Sequence, residues 1–96
     1  MILSIYGIYD SVAEANLTPF FLPNDNLAMR TFIQCINDSD HAFSKSPFDY
    51  TLYKFGDFDN EQSSFEILNP PEVLLQGGMV VNSSPELSPQ INEGLN

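Results

Sequence analysis

Few residues in this 96-residue chain have the types and spacing that chemistry requires. Asp57, Asp59 and Glu61 resemble the opening of a calcium loop, where alternate carboxylates converge on one cation. Such a loop needs glycine at its sixth position and a bidentate glutamate at its twelfth. Here those positions hold Gln62 and Leu68, so the run reads as a solvated hairpin turn. Cys35 and His41 are a thiol and an imidazole base, but a helix end and a turn separate them and no third group orients them. One cysteine and one histidine also fall short of a zinc ligand set. A glycine-rich phosphate loop and a serine elbow are both missing. The sequence therefore predicts a non-enzymatic protein with no catalytic residue, metal or cofactor.

The remaining candidate is "SPFDYTLYKFGDFD", residues 46–59, which carries five aromatic rings. Rings on a strand can stack unpaired bases when a basic groove tracks the backbone. Residues able to contact a nucleic acid or a protein partner in this way are Arg30, Lys45, Tyr50, Tyr53 and Lys54. Strand alternation puts Phe48, Tyr50 and Leu52 on one face with Lys54, and Thr51, Tyr53 and Phe55 on the other with Asp49. Rings divided between two faces fit a core strand better than a stacking strip. An outward tyrosine still suits a protein partner, because it joins apolar area to a polar tip.

Charge points the same way. The formal net charge is −10, from 13 acidic residues against Arg30, Lys45 and Lys54. Phosphate affinity comes from cations that release condensed counterions, so direct nucleic-acid binding is disfavoured. An anionic membrane surface is disfavoured for the same reason, and basic proteins are the favoured partners. An acidic mimic of DNA that occupies a host DNA-binding protein is an alternative with the same charge logic. Cys35 is the single cysteine, which excludes an intrachain disulfide and fits a reducing compartment. The first residues lack a basic flank and a cleavage site, and no apolar run reaches membrane-spanning length. A soluble, intracellular protein is expected.

The elements that position these residues can be read in outline. Residues 2–9, "ILSIYGIY", are apolar at both parities and predict a central strand. A polar connection covers 10–17, and "TPFFL" at 18–22 is a short edge run. A helix is expected from about Asn26 to Ile36, capped by Asn24 or Asp25. Its stripe is Met29, Phe32, Ile33 and Ile36, flanked by Ala28 and Cys35. A polar loop spans 38–48, and 49–55 is a strand that Gly56 ends as a bulge. "FEIL", 65–68, pairs back as a hairpin, Pro70 and Pro71 stop it, and 72–76 makes one helical turn. The fold class is α+β: about four mainly antiparallel strands with one main helix on one face. The domain is expected over 1–76, with 77–96 as a largely disordered tail rich in Ser, Asn and Pro. Apolar character on both sheet faces is compatible with a homodimer.

Three segments, in this order, resemble a known family: "TPFF" (18–21), "AMRTF" (28–32) and "PFDYTLYKFGDFD" (47–59), with "SIYGIYD" (4–10) similar to its first strand. The family is the small nonstructural protein of gokushovirus-type microviruses, single-stranded DNA phages. The resemblance covers about residues 4–76 and implies a protein made in the host bacterial cytoplasm and absent from the mature virion. It implies a role in viral DNA replication and DNA packaging, with a phage or host replication or packaging protein as partner. It supplies no catalytic residues. Positions that match its pattern include Pro19, Phe20, Arg30, Phe32, Pro47, Asp49, Tyr50, Leu52, Gly56 and Asp59.

Overall fold

The computed structural model describes residues 1–83. Strand β1, Ile2–Asp10, runs through the middle of an antiparallel sheet. On one side it pairs with two short strands, β2 (Ala15–Asn16) at its far end and β3 (Phe20–Leu22) at its start. On the other side it pairs with β4 (Tyr50–Asp59), which pairs in turn with β5 (Ser64–Gln76). Between β3 and β4 lie helix α1 (Asp25–Asn37), the four-residue helix α2 (Ala42–Lys45) and a 3-10 turn at Pro47–Asp49. Helix α3, Gly77–Ser83, follows β5. This is the expected α+β class, with α1 the main helix.

Helix α1 begins where Asn24 accepts a hydrogen bond from the Leu27 amide at 2.9 Å, satisfying a donor that the first turn leaves free. Asp25 in that first turn carries the favourable charge for a helix start. The buried residues are Ala28, Phe32 and Ile36, four apart, with Met29 and Cys35 beside them. The stripe is therefore rotated slightly from expectation, and Ile33 is 37% exposed. Beneath the helix lie Tyr6 and Ile8 of β1 and Leu52 of β4, joined by Phe43 of α2. Tyr6, Phe32 and Leu52 are fully buried, each contributing about 1.5–3 kcal/mol of apolar transfer.

Three irregularities shape the pairing of β4, one of them Leu74, which is extra on β5 between the pairs Leu52↔Leu75 and Tyr53↔Val73. Between Ile5 and Tyr6 the register shifts so that Phe55 is the extra residue, as Gly56 suggested. Opposite Phe55, β5 carries four residues, Leu68–Pro71, between the pairs Gly56↔Ile67 and Lys54↔Glu72. The prolines thus interrupt the pairing without ending the strand. Residues 72–76 are strand rather than the expected helical turn, and Leu75 pairs with Leu52 over the core.

Three other elements differ from expectation. The connection after β1 holds the short β2, and the polar loop holds α2, which His41 starts by accepting from the Phe43 amide at 3.1 Å. The folded part also continues past Gln76, the boundary expected from composition. Val80 of α3 is 6% exposed within the core. The glycine pair makes this docking feasible. A Cβ on Gly77 would sit 2.0 Å from the Pro47 carbonyl oxygen, and one on Gly78 would meet the Phe48 ring at 2.5 Å. The rest of the expected tail, residues 84–96, lies outside the described residues.

Candidate binding surfaces

Register assigns the paired sheet residues to one face or the other. Ser4, Tyr6 and Ile8, with Tyr50, Leu52 and Lys54, lie on the side that α1 covers. Lys54 is 3.3 Å from Asp25 Oδ1, and the Tyr6 hydroxyl donates to the same oxygen at 2.7 Å. Burial, then the hydrogen bond to Asp25, pushes the Tyr6 phenol up to about 12. Tyr50 packs its ring on Phe43 at 4.3 Å, and burial followed by Asp10 and Asp49 raises its pKa. Arg30 is exposed on α1 and Lys45 on α2. Tyr53 points the other way, on the face that no helix among the described residues covers, paired with Gly7 and Val73. Of the five sequence candidates, Tyr50 and Lys54 share a face and Tyr53 is separated from both.

The other candidate groups are used structurally. His41 caps α2 and sets its ring edge against Phe43 at 4.4 Å. Cys35 is partly buried on α1, and burial with nearby Asp38 raises its thiol pKa, which disfavours the nucleophilic thiolate. Asp59 accepts hydrogen bonds from the Glu61 and Gln62 amides, closing the β4–β5 turn. Among the described residues, no group of three or more His, Cys, Asp or Glu is arranged to hold a metal ion.

Among the described residues, two open surfaces bear on binding. The first is the turn end of the sheet on the α1 side. There Asp57, Asp59 and Glu66 line a shallow depression of about 420 Å³ with Ile2, Ser64 and Phe65. Ser4 Oγ donates to Asp57 at 2.8 Å and fixes that carboxylate. The second is the uncovered face. Across its turn end Phe21, Phe58 and Phe65 form a row, with ring centroids 5.9 and 4.6 Å apart. Toward the other end Tyr9, Asn16, Tyr53, Phe55, Pro70 and Pro71 enclose a groove of about 340 Å³. Gly7 lies under the Phe55 ring, which a Cβ there would meet at 2.2 Å, so glycine lets the ring settle on the sheet. Composition did not single out this face, although Phe65 and Ile67 alternate and Gly7 shares its parity with Leu3 and Ile5.

The family model for Phage ORF5 protein matches residues 3–80, nearly the whole described fold. The chain belongs to this family. It is therefore a phage protein, and an accessory role follows from the Phage ORF5 assignment. The matched span takes in α3 as far as Val80, in keeping with the helix being part of the fold. No curated protein and no solved structure matches the chain. No helix among the described residues is long and apolar enough to cross a membrane.

Proposed function

We propose that this Phage ORF5 protein is a non-enzymatic accessory factor of a gokushovirus-type microvirus. It acts in the host bacterial cytoplasm, outside the mature virion, in single-stranded DNA replication or packaging. It works by binding a phage or host replication or packaging protein through that protein's basic surface. The observation that carries this reading is the acidic turn end, where Asp57, Asp59 and Glu66 line one open depression on a chain of net charge −10. The N-terminal ammonium beside this turn is paired with Glu61 at 3.1 Å, and Lys54 of β4 is committed to Asp25. Negative charge here speeds encounter with a basic patch and repels nucleic acid, which carries the same sign.

The test is affinity capture from infected cells, followed by titration with single-stranded DNA. A replication or packaging protein is expected, retained at low salt and released as salt rises, with no DNA binding at physiological salt. Low-micromolar, salt-sensitive binding of single-stranded DNA would overturn the reading. Capture of a host nuclease would replace it with DNA mimicry.

A further inference from the structure

We propose that the uncovered sheet face closes a homodimer, two copies packing these faces together as a sandwich. This goes beyond the acidic end and does not depend on what that end binds.

The face has the size and chemistry of an interface. Phe21, Phe65, Ile67 and Val73 are 45%, 60%, 63% and 49% exposed. Half-buried Tyr9, Tyr53, Phe55 and Phe58 join them into one patch. Scaled by these exposures from the 150–250 Å² of a whole aromatic side chain, the patch comes to roughly 500–700 Å². That is at the top of what most monomers expose and approaches the ~800 Å² per partner of a standard interface.

Charge selects the occupant. None of the positions that register assigns to this face, from Leu3 through Val73, carries a charged side chain. A basic partner has no reason to choose it over the acidic end. A second copy brings an equally uncharged, equally apolar surface, and its acidic ends stay outside the contact.

Shape allows the symmetry that such a contact requires, in which one patch meets itself. The stacked Phe58–Phe65 pair stands at one end of the face, and the Tyr53–Pro71 groove opens at the other, about 15 Å along the strands. A twofold axis between the sheets, crossing the strands level with Phe55, lays each copy's aromatic pair over the other's groove. Phe65 then faces Pro71 and Val73 of the second copy. Sheets packed in this way sit about 10 Å apart. The β5 edge is a poorer route to self-association, because Leu68–Pro71 break its pairing line.

Sedimentation equilibrium of the full chain tests this directly. A dimer is expected at micromolar concentration. Its dissociation constant should fall several-fold between 20 mM and 500 mM salt, because salt screens the repulsion of two −10 chains. A basic partner's binding would weaken over the same range, so the two readings fail separately. Phe65→Asp, counted twice across the axis, should raise the dissociation constant at least 100-fold with an unchanged circular dichroism spectrum. Ile67→Asp repeats the test at a neighbouring site, and Val12→Asp, off the face and 75% exposed, should leave the dimer intact. In a Cys35→Ser background, a mixture of Phe65→Cys and Val73→Cys chains should cross-link with a short bismaleimide, more than either chain alone. A monomer at 100 μM, a dimer indifferent to Phe65→Asp and Ile67→Asp, a dimer dissociated by salt, or cross-links only between like positions would each overturn the proposal.

Discussion

Tyr6→Phe is the most informative single change, because it separates the hydroxyl of a fully buried ring from the ring itself. Phenylalanine keeps the packing against α1 and loses the 2.7 Å bond to Asp25. Asp25 remains partly exposed and keeps Lys54 at 3.3 Å, so its carboxylate is not stranded. The loss is that of one hydrogen bond to a charged group, about 1.5 kcal/mol at pH 8. The pH dependence is more diagnostic than the size. The phenol rises from 10.0 in the unfolded chain to about 12 in the fold, chiefly through burial. Its contribution is complete below pH 10 and fades as pH climbs toward 12, because the unfolded chain releases the proton first. Two units correspond to about 2.7 kcal/mol. The wild type should therefore start more stable than Tyr6→Phe, converge with it, and cross it near about pH 11, where half of that sum has gone. Urea denaturation at intervals from pH 8 to 12 measures this. Tyr50, also raised, contributes equally to both proteins and cancels. Parallel stability curves across that range would refute the assignment of Tyr6 as a buried, neutral donor.

Two further changes probe the frame. Gly56→Ala should cost about 2–4 kcal/mol in chemical denaturation, because its Cβ would lie 2.1 Å from the Glu66 carbonyl oxygen and backbone must move. A chain ending at Gln76 should melt about 10 °C below one ending at Ser83, since losing Val80 uncovers the core edge by about 2 kcal/mol. Equal melting temperatures would return the domain boundary to Gln76.

Much of this fold was legible because local signals agreed. Apolar residues at both parities of 2–9 marked β1 as central, and Asn24 with the Phe32 spacing located α1. What was missed had conflicting local chemistry. Pro70 and Pro71 read as a stop, yet four residues opposite Phe55 absorb them and β5 resumes at Glu72. Gly77–Gly78 read as the start of a tail, yet their missing side chains let α3 approach Pro47 and Phe48. Parity correctly divided Tyr50 from Tyr53. Which face α1 would cover depended on contacts between distant segments, and only the structure supplied that. The uncovered face was hidden for the same reason: Phe21, Phe58 and Phe65 come from three strands.

The polar contacts of β1 solve a problem that its own composition creates. A strand apolar at both parities gains almost as much from burying Leu3, Ile5 and Gly7 as from burying Tyr6 and Ile8, so hydrophobicity alone leaves its up and down sides nearly degenerate. Slipped by one residue against β4, the strand would still bury oil. It would also take the Tyr6 hydroxyl from Asp25, the Ser4 hydroxyl from Asp57, and the glycine from beneath Phe55. Two hydroxyls and one absent methyl group thus act as an orientation code. They matter less for how stable the sheet is than for there being only one sheet to form.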